Sequence, residues 1–155
     1  MKIKLKYYPQ HKDYSCGPSA LRMVFEHLGK HYSEEKMIQL CKAMPKIGTS
    51  HNHLIEEVKK EGFYCLEKDH GKIKDIIESL EQGYLPLINY YNPLSNSGHY
   101  SVICGYDSNE ELLFLADPAN GNDYTLSYGE FKKLWHNFLN NSKGWFLLVG
   151  RSKFF

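Results

Sequence analysis

The sequence predicts an α+β fold in which an N-terminal helical half packs on an antiparallel β-sheet half. Three observations carry this. Apolar residues recur at helical spacing in four stretches before Gly83, and after it short apolar runs alternate with turn-rich segments. No repeat, linker or low-complexity tract separates the halves, so residues 1–155 read as a single domain, long enough to bury a core without metals or disulfides.

Residues 2–8 alternate as a short strand with Ile3, Leu5 and Tyr7 on one face, ended by Pro9. Gln10-His11-Lys12-Asp13-Tyr14-Ser15 is an irregular loop that runs into a helix at Cys16-Gly17-Pro18. Proline suits the first helical turn, where its missing N–H is not needed. Ala20, Leu21, Met23, Val24, Phe25 and Leu28 then recur at helical spacing up to Gly29. Ser33 caps a second helix through about Cys41, with Glu34 and Glu35 in its first turn. Pro45 and Gly48 break the chain, and Thr49 or Ser50 opens a third helix that stops at Gly62. Residues 63–66 form a short strand, and residues 72–82 a fourth amphipathic helix closed by Gly83.

In the second half, residues 85–91 read as a strand ending in the turn-rich segment 92–98. Two further strands, 99–106 and 112–117, are joined by a hairpin-like turn at Asp107-Ser108-Asn109-Glu110. Residues 124–126 are extended, 129–138 helical and 144–149 a last strand.

Composition excludes several function classes. The formal net charge is +1 with both signs interspersed, so no electrostatic footprint for nucleic acid or an anionic membrane is present. No stretch approaches a membrane span, and Met1-Lys2-Ile3-Lys4-Leu5-Lys6 lacks the apolar run of a signal peptide, which makes the cytoplasm the expected setting. The four cysteines, Cys16, Cys41, Cys65 and Cys104, have no C-x-x-C spacing and are expected to be free thiols, three of them structural. His51 and His53 are two apart, a spacing that points them away from a shared ligand position on a helix. They read as a solvated helix start; no metal and no cofactor are expected.

The chemistry concentrates on Cys16. A thiol at a helix N-terminus meets the positive end of the macrodipole and unpaired N–H groups, both of which favour the nucleophilic thiolate. Gln10, six residues upstream, can fold back to offer a side-chain N–H beside the Cys16 backbone N–H, the two donors an oxyanion hole needs. His99 begins one strand and Asp117 ends the next. Antiparallel pairing brings them to the same end of a hairpin, where a carboxylate can orient and charge-stabilise an imidazole. Packing that end against the Cys16 helix sets a base beside a nucleophile. His11 reads as a surface loop residue, Trp145 as core rather than as a shield over the His–Asp pair, and Cys104 as buried. Tyr90, Tyr91 and Tyr100 are either sheet-packing residues or part of a cleft wall.

The order and spacing of these residues resemble the bacteriocin-processing cysteine peptidases of papain-like fold, the C39 peptidases, and their free-standing relatives. The resemblance runs through Gln10-x5-Cys16-Gly17-Pro18-Ser19-Ala20-Leu21, Gly48-Thr49-Ser50 with Leu54, and Gly62-Phe63. It continues through Gly83-x-x-Pro86-Leu87-Ile88, Gly98-His99-Tyr100-Ser101-Val102-Ile103-x-Gly105-Tyr106-Asp107 and Asp117-Pro118-x-x-Gly121, and so covers nearly the whole chain. It implies Cys16 as nucleophile, His99 as general base and acid, Asp117 as the residue orienting the histidine, Gln10 as oxyanion donor, and a peptide or protein substrate. Ser15 stands where many members carry an acidic residue, a change expected to alter the substrate-facing wall. Transporter-fused members continue into membrane and ATPase domains, whereas this sequence ends at Phe155, so their double-glycine leader specificity is not carried over. Two alternatives stay open: a peptide-binding module that recognises a leader-type partner without cleaving it, and a thiol amidase or acyltransferase acting on a non-peptide substrate.

Overall fold

The computed structural model of the protein describes residues 1–137 and 142–154. Four helices come first: α1 (Cys16–His27), α2 (Glu34–Leu40), α3 (His51–Lys60) and, after strand β1 (Tyr64–Lys68), α4 (Ile73–Glu81). Ser33 and Ser50 cap α2 and α3 by accepting from the N–H groups of Lys36 and His53, both at 3.1 Å. Gly62 and Gly83 end α3 and α4 with φ of 85° and 90°, a left-handed conformation that costs glycine little.

The remaining strands are β2 (Leu87–Asn92), β3 (Ser97–Asp107), β4 (Leu112–Asp117), β5 (Gly121–Ser127), β6 (His136–Asn137), β7 (Ser142–Lys143) and β8 (Phe146–Gly150). Five of them join β1 in one six-stranded antiparallel sheet in the order β1-β8-β2-β3-β4-β5, and β6 pairs with β7. Helix α5 (Tyr128–Leu134) begins at a capping box, in which Ser127 Oγ accepts from Glu130 N–H and the Glu130 carboxylate accepts from Ser127 N–H. It is shorter than the predicted 129–138 helix, because the chain turns into β6 after Trp135; residues 138–141 lie outside the described residues.

Alternation along the strands divides the core in two. Tyr100, Val102 and Cys104 of β3 face α1, α2 and α3 together with Trp145, Leu147 and Val149. Ile103, Leu113, Leu115 and Leu148 face α4 and α5. The first three helices thus pack on the sheet as the sequence predicts. Helix α4 crosses to the opposite face, burying Ile73, Ile76 and Leu80 there.

The predicted strand at residues 2–8 is absent. Its alternation survives as burial, with Ile3, Leu5 and Tyr7 half-buried and Lys2, Lys4 and Lys6 exposed, but only one bridge forms, Lys2 to Gly105. The pairing starts where β3 carries a bulge between Ile103 and Gly105, and Ile3 N–H donates to Cys104 carbonyl at 2.7 Å. Beyond it the segment is held by spaced anchors. Tyr7 hydroxyl donates to the Asp117 carbonyl at 2.6 Å and Gln10 N–H to the Pro118 carbonyl at 3.0 Å. It is a strap that delivers the loop before α1 to the end of β4.

Candidate active site

Cys16 is the first residue of α1, following Ser15 at the N-cap. Ser15 does not form part of a substrate-facing wall, as its position suggested; it is fully buried. Its hydroxyl donates to the Lys12 carbonyl at 2.9 Å and contacts Glu34 Oε2 at 3.1 Å. The Glu34 carboxylate also accepts from the His11 backbone N–H at 2.7 Å and pairs with the exposed His11 ring at 2.8 Å. Burial raises the Glu34 pKa, and these donors from His11 and Ser15 outweigh it to hold the carboxyl below its usual range. One carboxylate from α2 therefore fixes both ends of the loop that leads into Cys16. Sequence reading assigned Glu34 to the helix dipole alone, since a contact 23 residues back along the chain leaves no local signal.

Gly17, beside Cys16, is closely packed. A Cβ there would meet Thr49 Cγ2 at 2.3 Å and the Tyr100 ring at 3.1 Å. The Thr49 hydroxyl is tied to the Cys41 carbonyl at 2.5 Å, so the methyl cannot swing clear without breaking that bond. Gly17→Ala is expected to destabilise the fold by about 1–3 kcal/mol through overpacking and to displace Cys16. Urea denaturation and the alkylation rate of Cys16 measure the two effects.

The β3–β4 register pairs Val102 with Ala116, which carries His99 and Asp117 to the same end of the hairpin. There His99 Nε2 lies 2.8 Å from Asp117 Oδ1, with His99 4% and Asp117 0% exposed. Asp117 Oδ1 also accepts the backbone N–H groups of Ala119 and Asn120 at 3.0 and 2.9 Å. Tyr90 hydroxyl donates to Oδ2 at 2.6 Å. Burial opposes the charge on Asp117, and the bond to His99 followed by the other donors overcomes it, so its pKa is lowered.

Cys16 sits against the same histidine. Burial pushes the Cys16 thiol up. The His99 ring, by hydrogen bonding and charge, and the backbone N–H groups of Tyr100 and Gly17 more than offset it, leaving the thiol below its ordinary value. For His99, burial disfavours the imidazolium. The hydrogen bond to Asp117 and then that to Cys16 reverse the sign, raising its pKa from the ordinary 6.5. Both shifts favour a thiolate–imidazolium pair. The other cysteines show the contrast: burial pushes Cys41, Cys65 and Cys104 up. All four cysteines are unpaired.

Gln10 is less directly joined. Its Nε2 donates to the Lys12 carbonyl at 2.7 Å and its Oε1 is buried without a partner. Its backbone is fixed to Pro118, next to Asp117, but it makes no hydrogen bond to Cys16. Gln10, His11, Pro118 and Asn120 border a cavity of about 490 Å³. A larger one of about 880 Å³ lies between the start of α4 and the end of α5, and neither Cys16, His99, Asp117 nor Gln10 borders it. His51 is not solvated as predicted. It stacks on Trp145 at 3.8 Å between ring centroids, and its Nδ1 lies 2.5 Å from the Tyr100 hydroxyl. Trp145 is core, as expected, and Cys104 is buried. Tyr90 and Tyr100 are likewise buried in the sheet.

A thiol, an imidazole and a carboxylate thus stand in series, an arrangement chemically able to support acyl transfer. Comparison with known proteins yields a consistent result. The pattern of the peptidase C39 family matches residues 4–141. Two uncharacterized proteins, from Methanothermobacter marburgensis and Methanothermobacter thermautotrophicus, are each 30% identical over 112 residues, covering 72% of this chain and 70% of theirs. A double glycine motif protease from an AMS/PCAT transporter, solved in complex with the leader peptide, superposes with a TM-score of 0.78 at 18% identity, covering 97% of this chain and 94% of its own. The peptidase domain of Streptococcus ComA, a bi-functional ABC transporter, gives a TM-score of 0.75 at 22% identity, covering 95% and 98%. The shared fold is the papain-like α+β arrangement. Among the described residues no helix is long and apolar enough to cross a membrane.

Proposed function

The chain belongs to the peptidase C39 family, and on that premise we propose that it is a cysteine peptidase hydrolysing peptide amide bonds through Cys16, His99 and Asp117. The observation that carries the reading is the chain of contacts from the Cys16 thiol through His99 to a buried, fully bonded Asp117 carboxylate. The Cys16 thiolate attacks the carbonyl carbon of the scissile amide. The oxyanion is held by the Cys16 backbone N–H at the start of α1, together with the second Nε2 hydrogen of Gln10. His99 gives its proton to the departing amine as the C–N bond breaks, leaving an S-acyl enzyme. It then takes a proton from water, which attacks the thioester, and the carboxylic acid leaves as the thiolate returns. Asp117 remains an anion throughout and fixes the ring by its contact with Nε2.

The substrate class follows from the same premise. A structural neighbour was solved with a leader peptide bound, and a peptide is the ligand proposed here. A test needing no prior substrate is to incubate a diverse peptide mixture with the protein, before and after blocking with iodoacetamide, and to read new termini by mass spectrometry. Cleavages confined to the unblocked protein are expected. Binding without any cleavage would favour the leader-type binding module, and cleavage that survives the block would remove cysteine chemistry from the account.

The titration directions give a pH window. The thiolate is present above the lowered pKa of Cys16 and is lost as pH falls through it. The imidazolium is present below the raised pKa of His99 and is lost as pH rises through it. Turnover is therefore expected to be flat across neutral pH, with an acid limb below the ordinary thiol range and an alkaline limb above the ordinary histidine range. A pH–rate profile on any peptide found to be cleaved measures both.

A further inference from the structure

We propose that Tyr90 is a positioning residue of the catalytic machinery, its hydroxyl locking the second carboxylate oxygen of Asp117 so that the first is held on His99. This rests on the peptidase reading above. The two oxygens of Asp117 are treated unequally. Oδ1 accepts from His99 and from two backbone N–H groups, whereas among the described residues Oδ2 has one hydrogen-bond donor, Tyr90 hydroxyl at 2.6 Å. Asp117 and Tyr90 are both 0% exposed, so no solvent donor replaces the phenol. The Tyr90 oxygen is itself held, accepting from Asn120 Nδ2 at 3.1 Å, which polarises the hydroxyl toward the carboxylate.

The β2–β3 register pairs Tyr90 with His99. The two rings meet edge to face, 5.6 Å between centroids at 76°. One side chain thus restrains both members of the pair, the carboxylate through its hydroxyl and the imidazole through its ring. Phenylalanine in its place keeps the ring contact and removes only the bond to Oδ2. Freed at Oδ2, the carboxylate no longer keeps Oδ1 in place on the ring, and the imidazolium is held less tightly. The charged and titratable groups that bear on His99 and Asp117 are Cys16 from α1, Tyr90 from β2, Tyr124 from β5 and Tyr7 from the N-terminal strap.

The test is the rate of Cys16 alkylation by iodoacetate against pH, in the parent and in Tyr90→Phe, read by peptide mass spectrometry. Iodoacetate is an anion drawn by the imidazolium, so its rate falls as His99 deprotonates and reports that step directly. With circular dichroism unchanged, the alkaline limb in Tyr90→Phe is expected to move down by about half a pH unit or more. An unmoved or raised limb in a folded Tyr90→Phe protein overturns the proposal. Should that variant fail to fold, Asn120→Ala decides: it removes the donor to the phenol oxygen, and a smaller downward shift is expected, no shift being the contrary result. A parent Cys16 that alkylates only as an ordinary thiol is a separate outcome, which overturns the peptidase reading itself.

Discussion

Replacing Cys16 with alanine is expected to reduce peptide cleavage by about 10⁶-fold, to the background level, while the folded structure persists. The loss is large because each bond-making step passes through the sulfur: the attack, the thioester and its hydrolysis. The fold survives because Cys16 is only half-buried, at the N-terminus of α1, and α1 is anchored by Leu21, Met23, Val24 and Phe25, which are buried in the first core cluster. Matching thermal transitions of the two proteins, with cleavage in one alone, is the predicted pair of observations. Full turnover by Cys16→Ala on any accepted peptide would remove the mechanism.

His99→Ala is expected to be nearly as damaging, a loss of roughly 10⁴-fold or more, for two separate reasons. It removes the group that protonates the leaving amine and activates water. It also removes what holds the Cys16 thiol down, since burial, the largest influence on that thiol, then acts with little opposition. The variant therefore differs from one lacking only a proton shuttle. Its Cys16 should titrate above an ordinary thiol, so raising the pH within the stable range restores little activity. The cleavage assay gives the first effect and thiol titration the second. A variant with lost cleavage but an unchanged Cys16 titration would show that the low thiol pKa comes from the helix terminus, with His99 serving only as acid and base.

The parts of this architecture written in local spacing were legible in the sequence. The helices carry their 3.6-residue apolar stripes and their serine caps, and the hairpin that unites His99 with Asp117 follows from two apolar runs and a short turn. Properties that depend on a partner far along the chain were not. Residues 2–8 alternate like a strand, yet pairing goes no further than the Lys2–Gly105 bridge beside the Ile103–Gly105 bulge of β3, which nothing in residues 2–8 encodes. Ser15 was expected at the substrate-facing wall from the resemblance, and His51 in solvent from its place at a helix start. Glu34 draws the first inward, and Trp145 with Tyr100 encloses the second. The side of the sheet taken by α4 depends on packing, since an apolar stripe states that a face is buried and not against what. At the site itself, the cysteine, histidine and aspartate were identifiable by type and order. Tyr90 was identifiable only as one of several tyrosines able to pack in a sheet, because its contact with Asp117 spans 27 residues.

The central claim is that Cys16 and His99 form a reactive ion pair, and per-cysteine alkylation by iodoacetamide against pH, in the parent and in His99→Ala, tests it most directly. The other three cysteines are internal controls, because burial raises each of them. Cys16 is predicted to react well below the ordinary thiol pKa of about 8.5 and to lose that reactivity when His99 is removed. A Cys16 that titrates alongside Cys65, with or without His99, would contradict the account and leave the cleft as a binding site.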